Sequence, residues 1–108
     1  MLVAGVQQVV INGDFRTNLE RVLPLYAQAV KKGARIIVLQ EFWGVGFKVR
    51  PMDKGVVEKC GRQLQAIAQL CRDTKTYCIA GSLPRFNRQG KVANAMVVIE
   101  PSGATMAV

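Results

Sequence analysis

The chain has 108 residues, half of them hydrophobic, and carries 15 Lys and Arg against 7 Asp and Glu, a net charge of +8. This is one small packed domain at most, and it is too apolar for a disordered segment. There is no histidine, which excludes Ser-His-Asp and Cys-His hydrolysis, HExxH zinc sites and histidine proton shuttles built from these residues.

The positive charge is evenly spread. Residues 1–54 hold 8 basic and 4 acidic side chains and residues 55–108 hold 7 and 3, so each half carries +4. That reads as a solvated basic surface rather than a nucleic-acid footprint, and no nucleic-acid partner is expected. The three cysteines, Cys60, Cys71 and Cys78, lack CxxC spacing. We therefore expect reduced thiols, no metal site, no cofactor and a cytoplasmic location. No signal-peptide pattern opens the chain, and no apolar run approaches the ~20 residues of a membrane span, so no membrane partner is expected.

Leu2 to Ile11 is a nearly continuous apolar run, interrupted by Gln7 and Gln8, and predicts a first strand buried on both faces. Asn12-Gly13-Asp14 is a turn signal. Thr17 to Lys32 predicts a helix. Thr17 and Glu20 fit a capping box, and Phe15, Leu19, Val22, Leu23, Tyr26, Ala27 and Val30 share one face. Pro24 should kink this helix, and Gly33 suits its end.

Ile36 to Leu39 predicts a buried strand, followed at once by Glu41. An acid just past such a strand lies where open α/β sheets place their ligand sites. Residues 42–53 predict a loop. Its aromatics, Phe42, Trp43 and Phe47, stand beside Gly44 and Gly46, either as core aromatics at tight turns or as walls of a pocket around Glu41. The glycines do not form a phosphate loop, since neither GK[ST] nor a third glycine follows.

Gly55 to Asp73 predicts a second helix capped by Asp53, with Val57, Cys60, Leu64, Ile67, Ala68 and Cys71 as its apolar stripe. Thr76 to Gly81 predicts a third buried strand, Pro84 to Asn87 leads to a turn at residues 88–90, and Val92 to Ile99 predicts one long strand. After a turn at Pro101-Ser-Gly103, Ala104 to Val108 begins another. The order β-α-β-α-β, then hairpin strands, implies an α/β fold with a parallel core and helices packed on it.

The segment from Lys32 to Phe42, Lys-Gly-Ala-Arg-Ile-Ile-Val-Leu-Gln-Glu-Phe, resembles the first motif of the nitrilase (carbon–nitrogen hydrolase) superfamily. In that motif a helix ends at Gly-Ala, a strand follows, and a Pro-Glu pair delivers the first catalytic residue; here Gln40 stands in place of the proline. Gly81-Ser-Leu-Pro84, the strand around Asn94 and Pro101-Ser-Gly103 resemble further landmarks, with Ala93 where an aromatic is usual. The likeness runs from Val3 to about Gly103.

The resemblance implies that residues 1–108 are a single domain portion, the N-terminal part of a nitrilase-like α-β-β-α sandwich of the amidase-like branch. The chain stops in an apolar strand, so a catalytic lysine and cysteine are expected beyond it. It implies a hydrolase of carbon–nitrogen bonds in a small amide, carbamoyl or nitrile compound, forming a homo-oligomer in the intact protein. Glu41 would take the proton of a cysteine thiol, and its partial burial would suit it to that work near neutrality. The 108 residues alone are expected to be inactive. Read without the resemblance, Glu41 is a surface carboxylate paired with Arg35 or Lys48. Cys60, Cys71 and Cys78 read as packed thiols rather than nucleophiles, and Asn94 has no assigned role. Two other functions stay open: a non-catalytic interaction module of the same fold, and a basic α/β nucleic-acid binder.

Overall fold

Both helices start where an aspartate can accept the first free backbone N–H groups. In the computed structural model, which describes residues 1–108, β1 (Leu2–Val6) leads to α1 (Phe15–Lys31). The cap of α1 is Asp14, whose carboxylate accepts from Thr17 N at 3.1 Å. The predicted box at Thr17 and Glu20 is not formed. An ionised carboxylate is a stronger acceptor than a hydroxyl and suits the positive end of the helix dipole, so the helix begins two residues earlier. Glu20 instead pairs with Arg16, one turn back, at 3.0 Å. The Thr17 N–H also holds the Asp14 carboxyl below its usual range. Pro24 lies inside α1, and the helix continues through it. After β2 (Ala34–Leu39), α2 (Lys54–Thr74) is capped as expected, by Asp53 accepting from Val56 N at 3.2 Å.

The remaining strands are β3 (Tyr77–Ile79), β4 (Leu83–Phe86), β5 (Val92–Ala95), β6 (Val98–Ile99) and β7 (Thr105–Ala107). Five of the seven form one sheet in the order β1-β2-β3-β6-β7, and β4 pairs with β5 in a separate ribbon. The β1–β2 and β2–β3 pairs are parallel; β6 and β7 add on antiparallel. Both helices pack against this sheet, α1 on β1 and β2, α2 on β3 and the β4 ribbon. The core between them holds Val22, Tyr26, Ile37, Ile67, Cys71 and Cys78.

Two strand predictions are corrected. The first strand ends at Val6 rather than Ile11 and is not buried on both faces: it lies at the sheet edge, with Leu2 and Val3 exposed. The chain leaves it where Gln8 finds other partners. Its N–H donates to Gln40 Oε1, and its side-chain amide donates to Asn18 O and Trp43 O. The run Val92 to Ile99 is not one strand either. β5 belongs to the ribbon and β6 to the main sheet, and the chain crosses between them at Met96-Val97. There Ala80 N donates to Val97 O at 2.7 Å, and a Cβ on Gly81 would collide with Met96. Glycine at 81 is what lets the two segments pass this closely. The sheet face away from the helices presents Val3, Ile36, Val38, Tyr77, Ile79 and Val98, by register and alternation.

Polar groups are also built into the core. Tyr26 OH bonds Thr76 Oγ1 at 2.7 Å. The buried Asn18 donates to Ile11 O and Gly44 O and accepts from Ile11 N. Gln63, 3% exposed, donates to Phe15 O and Gly44 O. These two amides bind the loop after β2 to the start of α1. No helix is long and apolar enough to cross a membrane.

All three cysteines are free and buried. The neighbouring Cys71 thiol and burial push the Cys78 thiol up. Burial raises Cys60 from about 9 to about 11. The unfolded thiol therefore gives up its proton first as pH rises, and stability should be lost between pH 9 and 11. The loss assigned to Cys60 is roughly 2–3 kcal/mol. Melting curves of wild type and Cys60→Ala from pH 8 to 11 should converge toward the alkaline end; parallel curves would remove Cys60 as the cause.

Candidate active site

Parallel pairing of β2 with β1 and β3 brings the carboxyl ends of these strands together. Glu41 stands there, two residues past the end of β2. The chain then turns sharply. Phe42 adopts a left-handed conformation, φ 51°, an uncommon state for a residue with a bulky side chain. Its N–H donates to Ser82 O at 2.7 Å, and its carbonyl accepts from Val45 N and Gly46 N. The turn is thus tied to the segment that follows β3, and Glu41 projects at the point where the chain reverses.

Glu41 is exposed in this chain, and no segment among these residues folds over it. It makes no ion pair with Arg35 or Lys48; the ion pairs present are Arg16–Glu20 and Lys54–Glu58. Its partner is Asn94, whose Nδ2 donates to Glu41 Oε2 at 2.8 Å. The two side chains share the rim of a cavity of about 390 Å³ whose walls include Val38, Leu39, Ile79, Ser82 and Met96. Ser82 Oγ is buried there without a hydrogen-bond partner.

The three aromatics proposed as pocket walls do not line this cavity. Trp43 is in the core, 1% exposed. Phe42 is half-buried and meets Phe47 edge-on at 5.1 Å, and Phe47 is largely exposed. The left-handed turn at Phe42 sends the chain back toward the helices, where Asn18 of α1 and Gln63 of α2 hold Gly44 O. A Cβ on Gly44 would strike the Gln63 amide, so the residue must be glycine for the two to meet. None of Cys60, Cys71 and Cys78 lines the cavity; they pack on α2 and β3. Lys48 is exposed in the loop and does not line it.

A larger cavity of about 490 Å³ opens at the start of α1 between Asp14, Phe15, Arg16, Lys59 and Arg62. Its one carboxylate, Asp14, is engaged in capping α1. No group of three His, Cys, Asp or Glu side chains is placed to hold a metal ion. Of the residues at the site, sequence reasoning gives Asn94 no role and reaches Ser82 only within a landmark segment. Beyond the landmark resemblance, the sequence signal for Asn94 is a polar residue set between Ala93 and Ala95 in a strand.

A mixed α/β sheet with a parallel core thus carries an acid and an amide paired at its strand-end crevice. The family model described as carbon-nitrogen hydrolase matches residues 2–108, and the chain belongs to that family. A hydrolase of Schizosaccharomyces pombe is 32% identical over 108 residues, covering 96% of this chain and 33% of its own length. An omega-amidase of Xenopus tropicalis is 27% identical over 89 residues, 82% of this chain and 32% of that protein. The chain therefore spans about a third of the length of these relatives. In fold it is similar to an amidase from Nesterenkonia sp., with a TM-score of 0.82 at 19% identity over 97% of this chain and 40% of that one. It is also similar to a carbon–nitrogen hydrolase from Helicobacter pylori G27, with a TM-score of 0.79 at 22% identity over 96% and 37%.

Proposed function

We propose that residues 1–108 are the N-terminal portion of a carbon–nitrogen hydrolase domain, and that the whole protein hydrolyses a small amide, carbamoyl or nitrile compound with Glu41 as its general base. The observation that carries this is the Glu41 carboxylate at the crevice beyond β2, beside a cavity of about 390 Å³, in a chain of this family. The Xenopus relative is an omega-amidase, and the Nesterenkonia amidase has been solved with butyramide; both favour a small amide.

In this reading a cysteine and a lysine from outside these residues complete the site. The thiol S–H bond breaks and its proton passes to the Glu41 carboxylate, while the sulfur bonds to the amide carbon. The lysine offsets the charge that develops on the oxygen. The C–N bond then breaks, the departing nitrogen takes the proton from Glu41, and ammonia leaves a thioester. Water attacks that thioester as Glu41 takes its proton, the C–S bond breaks, and the proton passes from Glu41 to the departing sulfur, which releases the acid and restores the thiol.

The test is made on the full-length protein. Incubation with butyramide and quenching in acid should add one acyl mass to a cysteine of the protein, alongside ammonia release. Neither adduct nor ammonia across a panel of small amides, carbamoyl compounds and nitriles would overturn the proposal.

A further inference from the structure

We infer that Asn94 is the positioning residue of Glu41: it fixes one carboxylate oxygen and leaves the other as the oxygen that takes the proton. The inference rests on the catalytic reading of Glu41. The geometry is specific. Asn94 Nδ2 lies 2.8 Å from Glu41 Oε2, across 53 residues of sequence. Oε1 has no hydrogen bond within the chain, so it is the oxygen open to a donor in the cavity.

The chemistry allows one orientation of the amide. An ionised carboxylate only accepts, and the amide oxygen set against it would bring lone pairs together, so the NH2 group must face Glu41. Asn94 adds no charge in doing so. An arginine or lysine at this place would hold the carboxylate as well and would oppose its protonation more strongly, which works against a base that must accept a proton. A neutral amide orients the group and leaves it able to change protonation state.

The backbone supports the role. Asn94 lies on β5 opposite Pro84 of β4, in the ribbon outside the main sheet, whereas Glu41 follows a central strand of that sheet by two residues. Their hydrogen bond joins the two. It runs beside the Phe42 N to Ser82 O bond, which ties the same turn to the start of the ribbon. A side chain beyond Cβ has several rotatable bonds, and Glu41 is exposed in this chain. Without Asn94 its carboxylate would sample several rotamers, and few of them would suit proton transfer.

The test compares Asn94→Ala, Asn94→Asp and Glu41→Gln in the full-length protein, with butyramide as substrate. Asn94→Ala should lower kcat about ten-fold or more with KM within about two-fold, as expected for a lost hydrogen bond to a charged group that acts on the reacting geometry. Asn94→Asp should lower kcat further, because it sets a like charge against Glu41. Melting temperatures should match wild type, since Asn94 is exposed. Asn94→Ala with wild-type kcat beside an inactive Glu41→Gln would overturn the inference alone. So would a loss of kcat that tracks a fall in melting temperature, or equal losses in the two Asn94 variants. An active Glu41→Gln would overturn the inference together with the catalytic reading on which it stands.

Discussion

Glu41→Gln in the full-length protein should leave the melting temperature unchanged and lower turnover of small amides by at least ~10². The physical basis is near-isosterism. Glutamine has the same length and keeps a carbonyl oxygen that can still accept from Asn94 Nδ2, the bond that measures 2.8 Å with glutamate. What it loses is the ability to take a proton from a thiol. Glu41 is also exposed and makes no ion pair, so little of the fold depends on its charge. The check is steady-state ammonia release beside a thermal melt. Activity within a few-fold of wild type would remove Glu41 from the mechanism, and a lowered melt would show that the carboxylate has a structural part.

The second large effect falls on stability. Trp43→Ala should destabilise the protein by about 3–5 kcal/mol, the range for truncating a large buried aromatic. Trp43 is 1% exposed and belongs to the main hydrophobic cluster. Its backbone is held as well, since Trp43 O accepts from Gln8 and the neighbouring Gly44 O from Asn18 and Gln63. The surroundings therefore have little freedom to collapse into the space left behind. A fall in melting temperature on the order of 10 °C is expected, and Trp43→Phe should recover part of it. KM for small amides should move little in Trp43→Phe. A stable Trp43→Ala protein with a raised KM would return Trp43 to the substrate pocket.

The contrast between these neighbours shows how far one stretch of sequence could be read. The run Ile36 to Leu39 followed by Glu41 is a local pattern, and a strand with an acid beyond its end is what formed. The two residues after Glu41 are not distinguishable in that way. Phe42 and Trp43 are both large, apolar and next to glycines. Which one faces the core depends on the left-handed turn at Phe42 and on amides from α1 and α2.

Elements with local causes can be read from the order of residues. Asp53 caps α2, periodic apolar positions bury one face of each helix, and β2 and β3 lie where β-branched and apolar runs predict them. The place of Glu41 at a strand end can be read there as well. The tertiary structure decided what depends on partners distant in the chain. It made β1 an edge, divided Val92 to Ile99 between two sheets, and sent Trp43 to the core while the cavity beside Glu41 took other walls. It also set Asn94 against Glu41, a contact created by the pairing of β4 with β5 and by the crossing at Met96-Val97. The physical reason is that periodicity and capping act within a few residues. An edge, a sheet change or a hydrogen bond spanning 53 residues depends on which surfaces meet after the chain has packed.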